Sequence, residues 1–278
     1  MIQLGNFNTL EILRETSVGM FLGDEDVDDL LLPTKYVPEN AQVGDTLEVF
    51  CYLDHEERPI ATTLKPYVKR NEFGFLRVAE VNEIGAFMDW GLEKHLLVPF
   101  REQREKMRDG HWYVVYCYLD EKSFRLVASA RIKKHLNNNG LSLQPKEEVQ
   151  ILVARSTDLG FEVIVNEKHL GLIYRDEVYQ PIQIGDRLNA YVKKIRSDKK
   201  IDISLKPIGH LQIEPSAAQV YSMLSEAGGY MALHDKSSPE DIQEALQMSK
   251  KTFKKAIGTL YKARKIDIKK DGIYQLKK

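Results

Sequence analysis

Only two thiols are available to this chain, Cys51 and Cys117, and each sits in nearly the same hexamer: VFCYLD at residues 49–54 and VYCYLD at residues 115–120. Such a pair can form a disulfide, share a metal, or act as a redox couple. The other side chains with chemical potential are cations beside an aromatic ring. Tyr174, Arg175, Lys193, Lys194, Arg196, Lys199 and Lys200 fall between residues 174 and 200, and Lys251, Lys254, Lys255, Lys262 and Lys265 follow near the C-terminus. Rings that stack on bases and cations that meet phosphates are what single-stranded RNA requires.

Catalytic signatures are lacking. There is no Walker loop, no GxGxxG, no HExxH and no pair of CxxC motifs. The histidines (His55, His95, His111, His135, His169, His210 and His234) show no recurring spacing to a carboxylate. Neither an enzyme nor a cofactor or metal is expected. Two cysteines in 278 residues make no disulfide framework, which points to a reducing cytoplasm. No apolar run is long enough to span a bilayer, and the N-terminus has no basic start or uninterrupted apolar stretch of a secretory leader.

The elements that must position these groups come from an internal repeat. Gly19, Gly85 and Gly160 begin three blocks that align without a gap. Fourteen residues later stand Pro33, Pro99 and Tyr174, then Gly44, Gly110 and Gly185, and the blocks close at Thr63, Ser129 and Ser204. In this register Cys51 and Cys117 are one position, which the third block fills with Val192. Alternation places that position on the apolar face of a strand, so the cysteines read as small buried hydrophobes. The outward neighbours Phe50, Tyr116 and Tyr191 read as packing between domains.

Each block divides into short strands, the first at residues 10–13, 76–79 or 151–154 and the last at residues 60–64, 125–130 or 201–205. Glycines within them mark the sharp bends of a small closed barrel, and about five strands in such a block suit an OB-type barrel. Beyond Pro207 the pattern turns helical. Pro215-Ser216 opens one helix, Ser238-Pro239 caps a second, Ser249 caps a third, and Asp271-Gly272 turns a hairpin. Helices followed by a hairpin wing predict a winged helix. Projected at helical pitch, the third helix puts Phe253, Ala256, Ile257 and Leu260 on one face and Lys251, Lys254, Lys255, Lys262 and Lys265 on the other.

Gly85-Ala86-Phe87 and Ser204-Leu205-Lys206, with the Gly-Asp pairs at Gly44 and Gly185, resemble the RNA-binding OB domain of ribosomal protein S1. Three such blocks followed by a winged helix resemble the conserved virulence factor B (CvfB, or YitL-like) family of bacterial RNA-binding proteins. The likeness covers nearly the whole chain. It implies a mainly β protein with a C-terminal α+β module: barrels at residues 1–66, 67–132 and 145–208, a linker at 133–144, and a winged helix at 209–278. It also implies a post-transcriptional regulator of virulence-associated or stress genes. The family's ligand surface carries an aromatic before the first glycine, another two residues after it, and a histidine fourteen residues on. This chain has Val18, Ile84 and Leu159 before the glycine, and Pro33, Pro99 and Tyr174 at the histidine position. Phe21 and Phe87 keep the second aromatic, whereas the third block has Glu162 there with Phe161 one place earlier, on the opposite face of a regular strand.

Charge is distributed unevenly beneath a net of −1. Residues 1–66 hold four Lys+Arg against thirteen Asp+Glu, a net of −9, including the run GDEDVDD. The later blocks, cut at residues 132 and 208, carry +1, +3 and +4. Phosphate neutralisation dominates nonspecific affinity, so binding is expected in the C-terminal half. The expected partner is single-stranded RNA, bound by a monomer with no membrane association. Alternatives are a DNA-binding regulator acting through the winged helix and a protein-binding scaffold.

Overall fold

The computed structural model describes residues 2–24, 27–207 and 215–276. Glu25 and Asp26 of the acidic run, and His210, lie outside them. Residues 1–205 form one compact unit and residues 206–278 a second.

Three closed five-stranded barrels make up the first unit. The first contains β1 (Phe7–Thr16), β2 (Gly19–Asp24), β3 (Val27–Pro33), β4 (Thr46–Leu53) and β5 (Pro59–Thr62). The second contains β6 (Phe73–Val81), β7 (Gly85–Asp89), β8 (Leu96–Pro99), β9 (Trp112–Leu119) and β10 (Leu126–Ser129). The third contains β11 (Glu148–Ser156), β12 (Gly160–Val165), β13 (His169–Tyr174), β14 (Arg187–Ile195) and β15 (Ile201–Ser204). All close in the order 1-2-3-5-4, the third and fifth strands pairing in parallel, as in an OB-type barrel. The first strand of each copy is longer than the apolar pattern indicates, because it bends through a bulge to serve both sides of its barrel.

The repeat spacings have direct geometric causes. Fourteen residues separate ladder partners: Gly19 faces Pro33, Gly85 faces Pro99 and Gly160 faces Tyr174. A Cβ at these glycines would lie 2.1, 2.4 and 2.0 Å from the carbonyl oxygens of Leu32, Val98 and Ile173, so no side chain fits. Next, the amides of Gly44, Gly110 and Gly185 donate to the carbonyls of Ile12, Val78 and Val153 at 2.8–2.9 Å. Those carbonyls flank the bulge of each first strand, so the second glycine fastens the turn before the fourth strand to the bend.

Cys51 and Cys117 are wholly buried in separate barrel cores, and Val192 holds the same place in the third. Burial pushes both thiols up to about 12, which removes thiolate chemistry near neutral pH. The outward neighbours bind barrel to barrel. Phe50 is fully buried among second-barrel residues, edge-on to Trp90 with centroids 5.8 Å apart. Tyr116 repeats the device one barrel later, stacking on His135 at 4.2 Å and packing beside Leu152 and Ile164 of the third barrel. Tyr191, the third copy, is half-buried.

The segment after β10 is folded against its neighbours. Ile132–His135 forms a 3-10 turn with Ile132 buried, Leu143 enters the third core, and Asn138 exchanges hydrogen bonds with Leu170 and donates to the Lys199 carbonyl.

The second unit contains α1 (Pro215–Glu226), β16 (Tyr230–Met231), α2 (Pro239–Leu246), α3 (Lys250–Lys262), β17 (Ile266–Ile268) and β18 (Ile273–Gln275). The capping serines act as their sequence context implies: Ser238 accepts from the Asp241 amide and Ser249 from the Thr252 amide. Phe253, Ala256, Ile257 and Leu260 are all buried against α1 and α2 in one apolar core. The β17–β18 hairpin forms the wing, with β16 completing a three-stranded sheet.

Candidate nucleic-acid interface

Tyr174 ends β13 opposite Gly160, so its ring stands at the mouth of the β12–β13 hairpin. The Arg196 guanidinium lies 5.6 Å from the ring centroid and donates a hydrogen bond to the phenol oxygen. Arg196 is itself held by both carboxylate oxygens of Asp202, at 3.0 Å each. These contacts fix the ring and the cation together, leaving the tyrosine half-exposed.

Lys193 and Lys194 are consecutive, yet both are exposed. Strict alternation would put one of them in the core. The β14–β15 register shifts between Val192 and Lys194, so Lys193 is the extra residue of a bulge and both ammonium groups reach solvent. Their surroundings differ. Lys193 pairs with Glu177, which raises its pKa chiefly through the hydrogen bond between them. Lys194 has no ion pair among the described residues. Lys200 pairs with Asp198 at 2.9 Å, and Lys199 donates to the Asn139 side chain at 3.0 Å. Arg175 turns back to donate to the Thr157 carbonyl at 2.6 Å.

The third barrel therefore carries the expected cations on β14, on the turn after it and next to Tyr174, with Arg196 the one seen on the ring and with acids interleaved: Asp176, Glu177, Asp198 and Asp202. The Lys200–Asp198 pair is exposed, and such pairs are worth about 0–1 kcal/mol, so an incoming phosphate can exchange for that carboxylate. Phe161 is half-buried against the barrel core, in keeping with its displaced position. Glu162 occupies the aromatic position of the other copies and holds Arg155 at 2.6 Å and Lys133 at 2.8 Å. In the first barrel the equivalent ring, Phe21, lies under the Arg14 guanidinium at 3.9 Å.

On α3, Lys251, Lys254, Lys255 and Lys262 are exposed along the face opposite the core. Lys265 is not part of that face. The helix ends at Lys262, Arg264 takes a left-handed backbone, and the half-buried Lys265 places its ammonium 4.9 Å from the Tyr221 ring centroid. Sequence projection carried the helical period three residues past the helix end. It also passed over Tyr261, an exposed ring beside Lys262, and over the wing, where Lys269 lies 4.5 Å from the Tyr274 centroid.

A further group escaped the sequence reading. Trp112 is 54% exposed at the start of β9 and lines a cleft of about 620 Å³ with side chains from the second and third barrels. The signal was available as a tryptophan directly after the Gly-His pair at Gly110, where the third copy has Arg187. No cluster of metal-binding side chains is present among the described residues, and none of their helices is long and apolar enough to cross a membrane.

Comparison with known proteins fits this architecture. Residues 4–64 match the S1 domain, and residues 218–274 match the CvfB-like winged helix domain. Both are modules of the nucleic-acid-binding class. The chain is 29% identical to the uncharacterized protein YitL of Bacillus subtilis, over 97% of this chain and 92% of that one. It is 25% identical to conserved virulence factor B of Staphylococcus aureus, over 86% and 82%. A solved chain from Streptococcus pneumoniae, described as a multidomain protein with nucleic acid binding domains, is 29% identical over 98% of each chain, with a TM-score of 0.45.

Proposed function

We propose that this chain, which belongs with the CvfB-like proteins by its S1 barrel, its winged helix and its likeness to YitL and conserved virulence factor B over most of its length, is a cytoplasmic single-stranded RNA-binding regulator. It acts on transcripts rather than as an enzyme. The observation that carries the reading is the Tyr174 ring, held by Arg196 at a hairpin mouth of a barrel that also carries Arg175, Lys193, Lys194, Lys199 and Lys200. A fixed ring offers a base a stacking surface without a large ordering cost, and the cations around it meet the flanking phosphates. The exposed lysines of α3 add a second basic surface.

Those lysines also support a second reading, in which the winged helix enters the major groove of duplex DNA. One salt titration of the whole protein against single-stranded RNA and duplex DNA separates the two. If about five phosphates are neutralised, the log–log slope for a single strand is roughly −3.5. Tighter binding to the single strand is expected. Preference for the duplex would favour the DNA reading, and absence of any binding at low salt would leave a protein-binding scaffold.

A further inference from the structure

We propose that the cleft between the second and third barrels is a separate subsite for single-stranded RNA, where one base stacks on Trp112 and its phosphates meet Arg104 and Lys134. This rests on the RNA-binding reading above and extends it to residues that lie before the third barrel.

The two tryptophans of the chain are treated very differently. Trp90 is 2% exposed in a core, whereas Trp112 leaves more than half of its surface in solvent. An indole left open forgoes a large hydrophobic gain, yet this one is backed by a second ring. Its ring lies against Phe75, with centroids 5.2 Å apart and planes inclined by 30°. Phe75 is backed in turn by Gly185 of the third barrel, where a Cβ would come within 2.2 Å of the ring. The second barrel supplies the aromatic surface and the third locks it in place. Ile184, an exposed apolar side chain of the third barrel, lines the same cleft.

Five cations and two carboxylates line the cleft. Glu162 is already occupied by Lys133 and Arg155, so its negative charge is neutralised within the wall. Arg104 is exposed, and Lys134 makes a long pair with Glu102 at 3.4 Å. A volume of about 620 Å³ accommodates a nucleotide, and such sites combine apolar walls with a few polar groups as here. The cleft also continues the Tyr174 surface: Glu162 stands two residues along β12 from Gly160, the ladder partner of Tyr174.

The exposed indole provides its own reporter. A single-stranded oligouridylate of about 12 nucleotides, a length within the span that such folds cover, is titrated into the full-length protein at low salt while tryptophan emission is followed. Binding is expected to quench the emission, and Trp112→Ala to weaken affinity about 5- to 150-fold. Trp112→Phe, which retains an aromatic face, should keep most of the affinity, and Arg104→Ala should flatten the salt slope by about 0.7. If the RNA binds without quenching, and Trp112→Ala and Arg104→Ala leave affinity unchanged, the cleft is not a subsite while the RNA-binding reading stands. If no RNA binds at all, both fall.

Discussion

Arg196 and Tyr174 are joined twice, by a hydrogen bond to the phenol oxygen and by the guanidinium lying 5.6 Å from the ring centroid. Because the same guanidinium is held by Asp202, the tyrosine is the outer member of a fixed triad rather than a loose side chain. Tyr174→Ala is expected to remove about 1–3 kcal/mol of single-stranded RNA affinity. Tyr174→Phe, which loses only the hydrogen bond, should change it much less. Equal losses in the two variants, measured by fluorescence anisotropy, would mean that the hydroxyl and not the ring is read.

Neighbouring lysines on the β14 bulge should behave unequally. Lys194→Ala removes a cation with no carboxylate partner among the described residues and should flatten the salt slope by about 0.7 for a single strand. Lys193→Ala removes a cation and also bares Glu177 beside the phosphates. It should therefore weaken binding more than Lys194→Ala, and Lys193→Ala/Glu177→Gln should recover part of the loss. Identical salt dependence in all three variants and the parent protein would place the RNA elsewhere.

Two glycines give opposite expectations for stability. At Gly160 an added Cβ would lie 2.0 Å from the Ile173 carbonyl, so Gly160→Ala must push β12 from β13 and should cost at least about 1–3 kcal/mol. Gly258 lies within α3 with nothing inside 4 Å of a Cβ, and Gly258→Ala should stabilise the helix by about 0.5–1 kcal/mol. Denaturant unfolding followed separately for barrels and helices reads both changes. A neutral Gly160→Ala would contradict the hairpin geometry.

His135 links the second and third barrels to pH. Burial holds its pKa below 6.5, helped by Lys134 and opposed by Glu102, and its ring is stacked on Tyr116, with Nε2 buried and without a hydrogen-bond partner among the described residues. The unfolded chain accepts the proton more readily, so the stability from the neutral ring is present above about pH 6.5 and is lost as pH falls toward the depressed folded value. The urea midpoint should drop between about pH 7.5 and about pH 5.5, and His135→Phe should reduce that drop. An unchanged pH dependence in the variant would assign the effect to other groups.

How much of this was readable in advance depended on the distance over which each signal acts. The fourteen-residue interval was legible because a hairpin couples positions that are close in sequence, Gly160 and Tyr174 among them. Ser238 and Ser249 announced their helices because a cap acts on residues two or three places away. The Cys51 and Cys117 positions were legible by comparison with Val192, since one core accepts all three. The pairing of Lys193 with Glu177 was hidden, because it depends on a bulge that alternation does not reveal. The Trp112 cleft was hidden for a larger reason: its walls belong to different barrels, and reading each block separately divides it. That cleft also argues against testing the basic half alone. A cut after residue 132 would separate Phe73, Val114 and Ile132 from Leu152 and Ile164, opening a buried apolar cluster.

The glycine that begins each copy addresses its cross-strand partner through main-chain atoms alone, since there is no room for anything else. Closure of the hairpin is thereby indifferent to which side chain the partner carries. The three copies do not all carry the same side chain at that one place, and two of them have proline, which stiffens the strand end. The third has tyrosine. A position whose side chain the hairpin does not use is where copies of one module can part company, one ending its strand in a stiff ring and another in an aromatic one.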